Sequence, residues 1–101
     1  MFIVANRLYI AEDWQERFEA RFRARCNSLS QQPGFVALKI LRPLKAETPY
    51  VVHTEWQDEA AFKQWVGSDD FREAHAHPLP PEAYTGEGSM EQHLVAVEAS
   101  S

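Results

Sequence analysis

Residues 2 to 10 alternate. Phe2, Val4, Asn6, Leu8 and Ile10 hold the even positions, and Ile3, Ala5, Arg7 and Tyr9 the odd ones. Side chains two apart share a face of a strand, so each set lines one face. Both faces are largely apolar, which predicts cover on both sides. The period then changes. Trp14, Phe18, Phe22, Cys26 and Leu29 recur at helical spacing. Asp13, with Glu16 three residues on, has the form of a capping box opening this helix. Gln31-Gln-Pro-Gly34 ends it, and Cys26, on the apolar stripe, is expected to be a buried filler. Residues 35–42 and 50–56 read as strands joined by the loop 43–49, pairing as a hairpin. Asp58 caps a short helix through Val66 whose inner face carries Ala61, Phe62, Trp65 and Val66, and Gly67 stops it. Ser68 opens another, from Asp69 to about Ala76, with acids in its first turn where the helix dipole favours them. Residues 78–89, rich in proline and glycine, read as a long loop. Residues 90–98 form a last strand and 99–101 a tail.

This order, β-α-β-β-α-β with the second helix broken at Gly67, predicts an α+β, ferredoxin-like domain over residues 1–101: a four-stranded antiparallel sheet with helices on one face. The other face would leave Ile3, Ala5 and Tyr9 in water, so sheet-to-sheet pairing of two copies into a homodimer is expected.

Composition narrows the function classes. A chain of 101 residues, 45% hydrophobic and 25% charged, suits one ordinary globular domain. Its formal net charge of −5 argues against nucleic acid or an anionic membrane as the main partner. The single cysteine excludes an intrachain disulfide framework. No apolar run reaches the length of a membrane span, and the opening MFIVANRLYI lacks signal-peptide character, so the expected location is cytoplasmic. There is no Gly-rich phosphate loop, nucleophile elbow, H-E-x-x-H pair or structural-zinc spacing.

Three residues fit a plain core poorly. Asn6 lies among apolar neighbours, and a buried amide left without a partner costs about 1–3 kcal/mol. It either bonds a nearby carbonyl or faces a cavity and a ligand. Trp65 shares a helix face with Phe62, as core or as the wall of a site for a flat ligand. His75 follows Phe71 by one turn, either as a satisfied core histidine or as a neutral imidazole of the kind haem iron takes as a ligand. Arg17, Arg21 and Arg25 recur every four residues beside the aromatic stripe. They form either a solvated face balanced by Glu12, Glu16 and Glu19 or an anchor for carboxylates such as haem propionates.

Several segments carry a resemblance: the opening through Asn6-Arg7-Leu8, Arg21-Phe22-x-x-Arg25, Gly34-Phe35, and the stretch from Val52 to His75. In that stretch Trp56, Phe62, Trp65, Ser68-Asp69, Phe71 and Ala74-His75 keep their order and spacing. The chain resembles the antibiotic biosynthesis monooxygenase superfamily, and within it the bacterial haem-degrading monooxygenases typified by the iron-regulated surface determinant enzymes. The resemblance covers residues 1 to about 77; the 78–89 loop differs from the lysine- and serine-rich stretch of the best-known members. It implies a dimer with haem between sheet and helices of each subunit. His75 would match the axial ligand of the iron, Asn6 the distal amide, Trp65 the aromatic that bends the porphyrin, and Phe22 a pocket wall. Haem would be cofactor and substrate, opened with O₂ and electrons from an external donor. Two alternatives share the fold: a cofactor-independent monooxygenase acting on an aromatic or quinol, and a non-catalytic haem-binding protein.

Overall fold

A computed structural model describes residues 1–101. Its strands are β1 (Phe2–Leu8), β2 (Phe35–Leu41), β3 (Tyr50–Trp56) and β4 (Ser89–Leu94), and its helices are α1 (Gln15–Ser30), α2 (Glu59–Val66) and α3 (Asp69–Ala74). The sheet runs β2-β3-β1-β4 with every neighbouring pair antiparallel, which is the expected ferredoxin-like arrangement.

The register assigns the two sheet faces. Val4 pairs with Thr54 and Asn6 with Val52, while Ala5 pairs with His53 on β3 and Glu91 on β4. Directly paired residues share a face. The even residues of β1 therefore lie on the helix side. There Phe2, Val4, Leu29, Trp56 and Phe62 form one core cluster, and Ile10, Phe18, Tyr50 and Val52 form a second. The odd residues lie on the outer face, which is less apolar than β1 alone suggested. Arg7 pairs with Glu91 at 3.0 Å, and Glu55 takes Lys39 at 3.2 Å and His53 at 3.1 Å.

Element ends depart from the sequence reading in instructive ways. Asp13 does not cap α1: Glu12–Trp14 form a 3-10 turn, α1 begins at Gln15, and no side chain caps it. Capping chemistry elsewhere holds. Asp58 accepts from the Ala61 amide at 2.8 Å and Ser68 from the Phe71 amide at 3.1 Å. Cys26 is exposed, not buried. A four-residue step overshoots the helical turn by about 40°, so two steps from Phe18 carry Cys26 off the core, and the three-residue step to Leu29 restores it. Gly34, at φ 77°, is required where α1 hands over to β2. A Cβ there would sit 2.5 Å from the Cβ of Ala61.

The segment 78–89 is not a free loop. Pro81–Ala83 make a 3-10 turn, and Ala83 is fully buried. Ile10 bridges Tyr84, and the Ala11 amide donates to the Ala83 carbonyl at 2.8 Å. The segment is thus stitched to the residues after β1, whose ladder with β3 ends where Leu8 meets Tyr50, the first residue of β3. β4 ends at Leu94, short of the expected residue 98, and Met90 and Leu94 on its helix-side face stay exposed because no helix reaches over that edge.

Candidate functional site

Between the helix side of the sheet and the three helices lies a cavity of about 210 Å³. Asn6, Arg21, Phe22, Arg25, Trp65 and His75 all line it. Residues from β1, α1, α2 and the end of α3 thereby converge on one space, which is mostly apolar with a few polar groups, the usual character of a small-molecule site.

His75 sits just past the last turn of α3 as its C-cap, not within the helix, and it is exposed at the cavity mouth. Its Nδ1 lies 2.9 Å from the Phe71 carbonyl oxygen. A carbonyl only accepts, so Nδ1 carries the proton and donates. In the neutral ring this leaves the Nε2 lone pair free, as in metal-ligating histidines whose other nitrogen is held by a carbonyl. The imidazole also stacks on Phe71, with centroids 4.1 Å apart.

Asn6 has no hydrogen-bond partner within the protein, and no buried side-chain polar atom is left orphaned anywhere in the chain. Its amide, half-buried on the sheet floor, therefore faces the cavity and not a carbonyl. Trp65 stacks on Trp56 at 5.5 Å and meets the edge of Phe71 at 4.8 Å and His75 at 6.3 Å. Its free side belongs to the cavity. Trp56 is fully buried and donates Nε1–H to the Thr54 hydroxyl at 3.0 Å, satisfying a group that would be costly to strand.

The arginine stripe divides. Arg17 lies over the Trp14 ring, 4.4 Å from its centroid, and does not reach the cavity. Arg21 and Arg25 do, and neither forms an ion pair with an acid of this chain. Glu19, which the sequence offered as their counter-charge, is taken by Arg42 and Arg23 instead. Burial, reinforced by the neighbouring Arg21 charge, holds the Arg25 guanidinium below its usual range. Two arginines without an ion pair, in a mostly apolar lining that also holds Asp70, suit a ligand with carboxylates at one edge.

Other lining residues carried no signal in the sequence: Ser28, Asp70, Leu79 and Tyr84. Leu79 and Tyr84 reach the cavity only because the 78–89 segment is stitched to β1, a long-range contact that no local pattern encodes. No group of three or more His, Cys, Asp or Glu is placed to hold a metal ion. Likewise, no helix is long and apolar enough to cross a membrane.

Comparison with known proteins gives the family and agrees with the fold. Residues 1–77 match the family described as Antibiotic biosynthesis monooxygenase. A heme oxygenase (mycobilin-producing) of Mycobacterium tuberculosis is 34% identical over 77 residues, covering 76% of this chain and 72% of that one. A heme oxygenase (staphylobilin-producing) of Staphylococcus haemolyticus is 33% identical over 78 residues, covering 74% and 73%. The solved structure of the heme-degrader MhuD from M. tuberculosis, with two hemes bound in its active site, superposes with a TM-score of 0.81 at 26% identity, covering 99% of this chain and 100% of that one. The family match ends at residue 77, while the structural match covers 99% of the chain. The chain belongs to the antibiotic biosynthesis monooxygenase family, and within it is similar to the haem-degrading enzymes.

Proposed function

We propose that this chain is a haem-degrading monooxygenase whose cavity takes haem as both cofactor and substrate. The observation that carries the reading is the pairing of a free Nε2 on His75 with an unpartnered amide on Asn6 across one apolar cavity.

The residues present fit the group. A lone imidazole does not hold a free ion, but it suits an iron already carried by a macrocycle. Arg21 and Arg25 supply cations for propionates, and Phe22 and Trp65 supply flat apolar walls. The cavity, at about 210 Å³, is smaller than the roughly 300–1,000 Å³ of most ligand clefts, so a large planar ligand would project through the mouth where His75 is exposed. Bound there, haem would supply O₂ activation at its iron and the ring to be opened, with electrons from an external reductant.

The protein's own groups do the rest. His75 would hold the iron through Nε2, with its tautomer fixed by the Phe71 carbonyl. From the sheet floor, Asn6 would donate an amide N–H toward the reacting side of the ring and orient the oxidation. Trp65 would pack against one side of the macrocycle, and the apolar side chains of Phe22 and Leu38 would keep water from the reacting side. A second copy covers the outer sheet face.

Hemin titration tests the assignment. The wild-type protein should shift the Soret band to a saturating, single-ligand spectrum, and His75→Ala should abolish it. An unshifted band in the wild type would turn the reading toward cofactor-independent oxidation, and an unchanged shift in His75→Ala would remove His75 from it.

A further inference from the structure

Trp56 does not line the cavity; it belongs to the core and packs behind Trp65, which does line the cavity. It is fully buried at the end of β3, and its Nε1–H is anchored on Thr54 at 3.0 Å. Phe35 and Phe62 pin its ring at 5.4 and 5.9 Å, at 81° and 66°. Trp65 stacks on it at 5.5 Å and 29°, while Phe71 blocks the edge of Trp65 at 4.8 Å.

We propose that Trp56 is a positioning residue: it braces Trp65 from behind so that Trp65 keeps its rotamer against the macrocycle. The inference rests on the haem reading above and adds the element that reading lacks. A side chain can bend a ligand only if it yields less than the ligand does. Trp65 is half-buried on an eight-residue helix and makes no hydrogen bond through its indole, so its own helix does not fix it. A locked neighbour in van der Waals contact does. Distortion of the macrocycle, one of the protein's means of tuning haem, is thereby set in part by a residue that never touches it.

The test uses 5-fluorotryptophan, which reports the chain's three tryptophans separately; Trp65→Phe identifies the Trp65 resonance. In ligand-free Trp56→Phe that resonance should shift and broaden. With hemin bound, the paramagnetic shifts of the meso protons should move toward those of Trp65→Phe, while hemin affinity changes by less than about tenfold. Introduced into Trp65→Phe, Trp56→Phe should add nothing, because the effect runs through Trp65. If Trp56→Phe does not fold, Thr54→Val, which removes the indole's acceptor and alters one cavity-lining side chain, carries the fluorine measurement in the ligand-free protein. An unmoved Trp65 resonance overturns the brace, as do wild-type meso-proton shifts in Trp56→Phe or an additive effect in the double variant. Failure of the wild type to bind hemin refutes the haem reading instead, and the brace is then decided by the fluorine spectrum alone.

Discussion

Asn6 shows how a residue becomes conspicuous. In a strand whose even positions are otherwise Phe, Val, Leu and Ile, a single amide breaks the pattern, and the sequence alone marks it. Its partner group is what the sequence withheld. Both a neighbouring carbonyl and an open cavity satisfy the same pattern, and only the register and the helix positions decide for the cavity. His75 is similar: its spacing from Phe71 was readable, but its exit from the helix and the Nδ1 bond that frees Nε2 were not. A prediction belongs at this scale. Asn6→Ala should still give the wild-type Soret shift but should slow degradation by about a hundredfold, the usual loss when one oriented donor is removed from a reaction site. Single-turnover kinetics with bound hemin would show it. Wild-type turnover would take Asn6 out of the chemistry.

At the scale of elements, boundaries set by local chemistry were legible and boundaries set by distant contacts were not. Asp58 and Ser68 cap their helices as their side chains dictate, whereas Asp13 yields to a 3-10 turn. The site of α1 is fixed by a cluster the sequence did not announce. Glu19 accepts two bonds from Arg42, at 2.7 and 2.6 Å, and one from the Tyr50 hydroxyl at 2.5 Å. Phe18, the residue before Glu19, packs on the Tyr50 ring at 4.8 Å and lines the cavity. The Arg42 and Tyr50 hydrogen bonds hold the Glu19 carboxyl down at about 2, against an ordinary 4.5. A depressed carboxyl contributes stability above its unfolded value and loses it as pH falls through the folded one. Burial, then the bond to Glu19, pushes the Tyr50 phenol up to about 12 from 10. That contribution is present below pH 10 and is lost as pH rises from about 10 to 12. Thermal melts should therefore show Glu19→Gln less stable than wild type at pH 7, with the gap closing between pH 4.5 and 2. A gap that does not change over that range would deny the cluster its role.

For the whole molecule, the ferredoxin-like order was legible because each element carries its own period, and the sheet pairing followed from it. The outer face was read less well. Looking at β1 alone, Ile3, Ala5 and Tyr9 suggested an apolar surface, but β3 and β4 bring His53, Glu55 and Glu91 beside them. Although burial raises it, bonds from Lys39 and His53 hold the Glu55 carboxyl below its usual range, so this face stays charged in neutral water. A second copy docked on this face would therefore have to match charges as well as cover Ala5, which is already only 8% exposed in the single chain. Sedimentation should give twice the 11.6 kDa chain mass, and Ala5→Arg, which puts a long cation in the centre of the face, should return it to one. A wild-type monomer would mean that the outer face meets water or another partner. The central claim, that this cavity opens haem, meets its most direct test in the wild-type protein loaded with hemin and given ascorbate and O₂ in the presence of catalase. The Soret band should decay while a chelator captures iron and mass spectrometry finds an oxygenated open tetrapyrrole; a Soret band that persists, with hemin recovered intact, would contradict it.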